Sequence, residues 1–407
     1  MAENQTISYA VFSKETDFEK IMDTIYEQFK AERKDGKNTI LLENEQQRIE
    51  VQVLIEQMGE KFKNYIDNLK NNMCNAVWNM NCDDEDTKMN LLRKLQQSKT
   101  YIMVNVIKKD ESMSDEQFEE NAADVRWYFE DVINVIDGVV MSADGSCAWN
   151  EEGNIILNTQ GESEVPDYFP FAYEESPEFL KDCTPRQINR RNENMKYLFD
   201  EGIYVCELPL NPDDEEVTIR DKREVVKRAL GTMLVSLYSE AMLNPSENMS
   251  VPEARAFIER VKKGFHLDEE VLTPYEIKYI NNDNPTEQEQ IDFSWHYEHL
   301  YALEWALGLV EWDYPEQICN VGGIVHIMNE FDSIDEICDK CVMRSKKEIL
   351  DTADLIYRMD WAATDARIHR FMGPKGLEHG VVQARHKTLN WLIGFDNKEW
   401  DDVDTPT

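Results

Sequence analysis

The hydrophobic period of this chain changes once. Between residues 6 and about 171, short runs that alternate with period two are interleaved with runs of helical period; from Pro185 onward only the helical period remains. A chain patterned this way has to build two bodies, one in which helices cover a sheet and one in which helices pack only on helices. In the first part the β-rich runs are 7–12, 40–42, 49–54 and 101–107, and the helical stretches are 17–30, 59–78, 87–97 and 115–136. Segments 138–141 and 154–157, joined through Asp144-Gly145 and Gly153, are expected to close the sheet in a hairpin-like arrangement. The expectation is an α+β N-terminal domain over 1–165 with a mixed or antiparallel sheet. A linker over 166–185 follows, carrying Pro166, Pro170, Pro177 and Pro185, and then an all-α helical domain over 186–407.

The helical part announces its own starts. Ser250-Val251-Pro252-Glu253 and Thr273-Pro274-Tyr275-Glu276 place a hydroxyl at the cap, an acid three residues on and proline in the first turn, and Asn284-Pro285-Thr286-Glu287 repeats the device. Gly264 after Lys262-Lys263 is a matching stop. A helix over 221–242 is expected to bury Val226, Ala229, Leu230, Met233, Leu234, Leu237 and Ala241. A second, over 285–310, is apolar nearly all round in its latter half, the mark of a central buried helix. Glu298 and Glu304 lie within it, and a buried carboxylate needs a partner, so an arginine is expected within salt-bridge range of Glu298.

Several stretches of this part form an ordered set. They are Arg190-Arg191 with Leu198-Phe199-Asp200-Glu201-Gly202-Ile203, then Arg223 to Leu230, then Trp295-His296-Tyr297-Glu298-His299-Leu300 with Trp305-Ala306-Leu307-Gly308. Glu348 to Arg358, Arg385-His386 with Leu389-Asn390-Trp391-Leu392, and Trp400 to Thr407 complete it. In order and spacing the set resembles the bacterial family catalogued as domain of unknown function 4272, over residues 183–407, with nothing comparable in the first part. The resemblance implies a helical fold and carries no established activity. Cys338 and Cys341 fall outside its motifs.

Composition narrows the partners. The 407 residues hold 43 Lys+Arg against 81 Asp+Glu, a formal charge of −38, divided almost evenly between the parts. A surface this acidic argues against nucleic acid and against anionic membranes, both of which are held by released counterions and basic side chains. With 42% hydrophobic residues the chain has the material for real cores. Met1-Ala2-Glu3-Asn4 has neither a basic nor an apolar leader region, and the most apolar stretch, 300–310, is far short of a span of about 20 residues; a cytoplasmic location is expected. Eight cysteines are too sparse for a disulfide scaffold, and Cys338-Asp339-Lys340-Cys341, with only Cys319 and His326 as loose companions, reads as helix thiols rather than a metal site. His296-Tyr297-Glu298-His299 lacks the spacing of a zinc helix. No metal or cofactor is expected.

The helix expected over 348–369 is the most informative element. One stripe is apolar (Leu355, Ile356, Met359, Ala362, Ala363, Ala366), and beside it runs a polar one of Asp351, Asp354, Arg358, Trp361, Asp365 and His369. Arg385, His386, Asn390 and Trp391 share a sector of another helix, and Asp401, Asp402 and Asp404 form an acidic tail expected to dock on an arginine such as Arg358 or Arg385. Two functions follow. If these charges brace helices, with Glu298, Arg358, Trp361, Arg385, Asn390, Trp391 and the tail acids as contact residues, the acidic protein is an interaction module for a basic partner, immunity-like in one version. If Asp351, Asp354, Asp365 and His386 converge on one cleft, it is a metal-assisted hydrolase. The bracing reading is the preferred one, because ion-pair networks gather in helical cores.

Overall fold

The computed structural model describes residues 5–31, 37–244, 248–267 and 270–407. Met1 to Asn4, on which the leader reading rests, lie outside them. The chain divides into two compact units, Met1–Pro170 and Phe171–Thr407.

In the first unit seven strands form one sheet: β1 (Thr6–Ser13), β2 (Thr39–Glu43), β3 (Gln47–Ile55), β4 (Thr100–Lys108), β5 (Gly138–Ser142), β6 (Cys147–Trp149) and β7 (Ile155–Asn158). Their spatial order is β2-β3-β4-β1-β5-β6-β7, and every pair is antiparallel. The helices are α1 (Phe18–Phe29), α2 (Glu60–Trp78), α3 (Glu85–Gln97) and α4 (Asp115–Ile136). Strand alternation explains why both faces are covered. Val11, Val53, Val104 and Val140 enter one core with Ile21 and Ile25 of α1 and Phe118, Val125 and Phe129 of α4. Phe12 and Tyr101 point the other way, where Tyr65 of α2 meets the Tyr101 ring at 6.5 Å and α3 packs alongside. Segments 138–141 and 154–157 do not pair directly. The three-residue β6, too short for a periodic signal, inserts between them, with a register shift at Ala148/Trp149.

The second unit is helical: α5 (Pro185–Asp200), α6 (Lys222–Leu243), α7 (Val251–Gly264), α8 (Pro274–Ile280), α9 (Glu287–Ser294), α10 (His296–Ala306), α11 (Val321–Met328), α12 (Ile334–Lys340), α13 (Lys346–Ile368) and α14 (His379–Leu392). The capping boxes at Ser250 and Thr273 are formed; the third lies two residues later than expected, with Thr286 at the cap and Glu289 as its acid, because the threonine hydroxyl and not Asn284 takes the cap, and Thr184 and Ser345 make two more. The single helix expected over 285–310 is instead two, α9 and α10, hinged at Trp295, whose carbonyl accepts from Glu298 N in a tighter three-residue turn. It also stops early: Gly308 takes a left-handed φ of +73°, and a Cβ there would meet the Val342 carbonyl at 2.4 Å. α10 lies against α6 and α14, and α14 against α13, which in turn meets α5. α6 is buried on nearly every side, from Val225 to Met242. Among the described residues no helix is long and apolar enough to cross a membrane.

Candidate functional site

The interior of the helical unit holds arginines where leucines would be usual. Arg191, Arg358 and Arg385 have no exposed surface, and Arg190 and Arg228 are 95% buried. A buried guanidinium needs a carboxylate and further hydrogen bonds to match it; each has the carboxylate, and among the described residues the Nε atoms of Arg191 and Arg228 go without a partner. Arg190 of α5 reaches Asp351 of α13 (3.2 Å) and also Asp214. Arg191 grips Glu207 with one nitrogen on both oxygens (2.8 and 2.9 Å). Arg228 of α6 holds Glu276 of α8 at 2.7 Å from each oxygen. Arg358 takes Asp354 one turn earlier (2.8 and 3.0 Å), and Asn194 of α5 donates to the same carboxylate at 2.9 Å. Arg385 of α14 pairs with Glu298 of α10 (3.3 Å) and Asp313 (2.8 Å), and its guanidinium lies over the rings of Tyr301 and Trp312.

Arg190–Asp351, Arg228–Glu276 and Arg385–Glu298 join different helices, and Asn194 ties α5 to the Asp354–Arg358 pair within α13, so the polar stripe of α13 is a seam rather than a cleft wall. Asp351 and Asp354 face α5. Asp365, half-buried, lies 3.4 Å from His369. His386 of α14 turns to a residue that the polar stripe did not include, Asp360, whose Oδ2 is 2.7 Å from its Nδ1. Asp360 is fully buried because it occurs in phase with Ile356, Ala363 and the apolar stripe. That phase was the available signal: a carboxylate on a core face requires a partner. The other ring nitrogen of His386 is 3.0 Å from the Asn390 amide, which also donates to the Asp404 carbonyl at 2.9 Å.

The tail docks, but not through its acids onto Arg358 or Arg385, both of which are matched internally. Trp400 carries it. Its indole is 97% buried in a box formed by Arg228 (4.9 Å from the ring centre), Lys387 (5.8 Å), His299 (5.2 Å, edge-on) and Trp391 (5.4 Å, edge-on). Val403 is buried beside it. Asp401 accepts from Tyr275 N at 3.2 Å, Asp404 pairs with Lys398, and Asp402 is exposed. Burial sets the electrostatics of this box. It pushes His296, His299 and Lys387 below their ordinary values. For Glu276 burial acts upward, yet Arg228 and then His296 beside it hold the carboxyl at about 2.

A cleft of about 500 Å³ opens at the edge of this seam. Tyr357, Trp361, His386 and Asn390 line it with Leu208, Leu210 and Phe395. Of the four proposed catalytic side chains only His386 reaches it; Asp351, Asp354 and Asp365 do not, and Trp391 belongs to a separate cleft beside Trp400. Among the described residues, no three His, Cys, Asp or Glu side chains stand together in a way that could hold a metal ion. Cys341 is buried and Cys338 partly so, and their carbonyls accept from Lys222.

Among the described residues, one fully buried carboxylate has no hydrogen-bond partner on either oxygen. Glu304 of α10 is completely buried, neither oxygen has a hydrogen bond, and burial pushes its carboxyl up to about 9, so at neutral pH it is an uncharged acid.

The acid excess is displayed elsewhere. In the first unit α4 buries Phe118, Val125, Phe129 and Val132 and turns Glu116, Glu120, Asp124, Trp127, Asp131 and Val135 to solvent. The steps of three and four between these residues put them on one side of the helix. Trp127 is 57% and Val135 50% exposed.

A family model described as Domain of unknown function (DUF4272) matches residues 190–403, over half of the chain. No curated protein and no solved structure matches.

Proposed function

Because the chain belongs to the DUF4272 family, whose description assigns no activity, its role is read from its own residues, and we propose that it is a cytoplasmic protein-interaction module for a basic partner. The observation that carries this reading is the outer face of α4, where an exposed tryptophan and valine are set among Glu116, Glu120, Asp124 and Asp131. Aromatic anchors are the usual energetic centres of protein interfaces, and a ring of like charge around one selects partners of opposite sign and speeds their encounter. The charge of −38 extends that selection over the whole surface. An immunity-like role, neutralising a basic toxin by occupying it, is the biological version that fits an acidic binder of this kind.

The hydrolase alternative has no such support, since Asp351, Asp354, Asp365 and His386 are each turned to a different neighbour. The test is capture from the native cell on immobilised protein, in low and high salt, with a variant carrying Asp124→Lys, Trp127→Ala and Asp131→Lys alongside. A basic protein held at low salt, released at high salt and missed by the variant supports the proposal. Capture of no basic protein, or equal capture by the variant, overturns it.

A further inference from the structure

The groove between the starts of α6 and α13 reverses the sign of its surroundings. It is lined by Val217, Thr218, Ile219, Arg220, Asp221, Lys222, Met343, Arg344 and Lys346, four cationic residues against one acid in a chain where acids outnumber bases 81 to 43. The acid is engaged at a helix start: Asp221 caps α6, accepting from Glu224 N at 3.0 Å. Two of the cations are matched, Arg220 by Glu224 (2.9 Å) and Arg344 by Glu311 (2.9 Å). Among the described residues, no carboxylate pairs with the other two. Lys222 Nζ donates to the carbonyls of Cys338 and Cys341 (2.8 and 3.0 Å), and Lys346 Nζ donates to the carbonyl of Val217. Carbonyl oxygens orient an ammonium group without neutralising it, so two whole positive charges border one groove. α6 and α13 also begin here, with their first turns already matched by carboxylates: Asp221 caps α6, and Glu348 accepts from Ser345 N at 2.9 Å at the start of α13.

We propose that this groove binds the phosphate group of a small phosphorylated molecule. An anion is what the two lysines lack. Lysine, a compact point charge with three donors, suits a phosphate whose oxygens point in several directions. The volume of about 490 Å³ exceeds that of a bare phosphate, and Val217, Ile219 and Met343 supply an apolar wall for the group that carries it. The site is remote in sequence from α4 and independent of the partner proposed for that helix; neither result bears on the other.

Calorimetric titration of the full chain with inorganic phosphate and with adenosine monophosphate, in low-salt chloride buffer, tests this. Saturable binding at one site is expected. Lys346→Met should weaken it about tenfold, at the lower end for losing a hydrogen bond to a charged group. Lys347→Met, which removes an exposed neighbour paired with Asp351 and absent from the groove lining, should leave it within about twofold. Tighter binding of the nucleotide assigns an ester with a bulky carrier, and equal binding assigns the free anion; both support the site. Lys222→Met is the less useful variant because it also frees the end of α12. As a check that does not rely on calorimetry, phosphate should raise the unfolding midpoint of the wild type and not that of Lys346→Met. No saturable binding of either anion, undiminished binding by Lys346→Met, or equal weakening by Lys347→Met overturns the proposal.

Discussion

Replacing Glu304 with glutamine should flatten the pH dependence of folding. The carboxyl has no hydrogen-bond partner and is pushed up to about 9 by burial, against 4.5 for an ordinary glutamate. A folded state that holds a proton more tightly than the unfolded chain is most stable below the unfolded value and loses that advantage as pH rises through the folded one. Each unit of pH in that window is about 1.4 kcal/mol, so between about pH 5.5 and about pH 8 this residue alone removes about 3 kcal/mol from the wild type. Glutamine keeps the shape, also buries an unpartnered polar group and does not titrate. The two proteins should therefore be close in stability at the acidic end and about 3 kcal/mol apart at the alkaline end, with the variant the more stable. Urea unfolding followed by tryptophan fluorescence across that range measures it, and contributions from all other titrating groups cancel between the two proteins. Parallel curves of stability against pH would refute the reasoning, because they would mean that Glu304 is charged in the fold and has a partner.

Other expectations follow from the same interior. Arg358→Met strands Asp354 and should cost about 3–5 kcal/mol in urea unfolding, whereas adding Asp354→Asn should recover a large part of the loss, since removing both partners is far cheaper than removing one. Glu276 has the opposite pH sign: held at about 2, it contributes stability that is present above 4.5 and lost as pH falls toward 2, about 3 kcal/mol in all, and acid unfolding of Glu276→Gln should lack that component. Trp400→Ala empties the box between Arg228, Lys387, His299 and Trp391; a cost of about 3–5 kcal/mol is expected, with amide exchange of residues 399–404 accelerating before the rest of the unit.

Much of the fold was legible because its signals are local. β1 to β5 and β7 were visible as β-rich, partly alternating runs, and α1 to α4 as helical stretches between them. The second unit declared itself through hydroxyl–acid capping pairs, which act within four residues. What stayed hidden depends on contacts far apart in sequence. β6 is recognisable only through its pairing with β5 and β7, and the break at Trp295 leaves the apolar pattern continuous. The partner of Glu298 could be expected by type because burial demands it, and it is Arg385, 87 residues away. The tail was expected to dock by charge and docks by an indole, because every arginine it was offered already has a carboxylate. Asp360 escaped notice for a different reason: its helix was divided into a polar and an apolar stripe, and it belongs to the apolar one.

The decisive comparison sets interior against surface. The claim is that the charged pairs within the helical unit brace it, while the outer face of α4 does the binding. Capture of the basic partner should be measured with two variants at matched folded fraction: Asp354→Asn with Arg358→Met, which neutralises a buried pair, and Asp124→Lys with Asp131→Lys, which reverses charge on α4. The interior variant is expected to bind as the wild type does and the α4 variant to lose the partner. Loss of binding in the interior variant with α4 reversal tolerated would contradict the account.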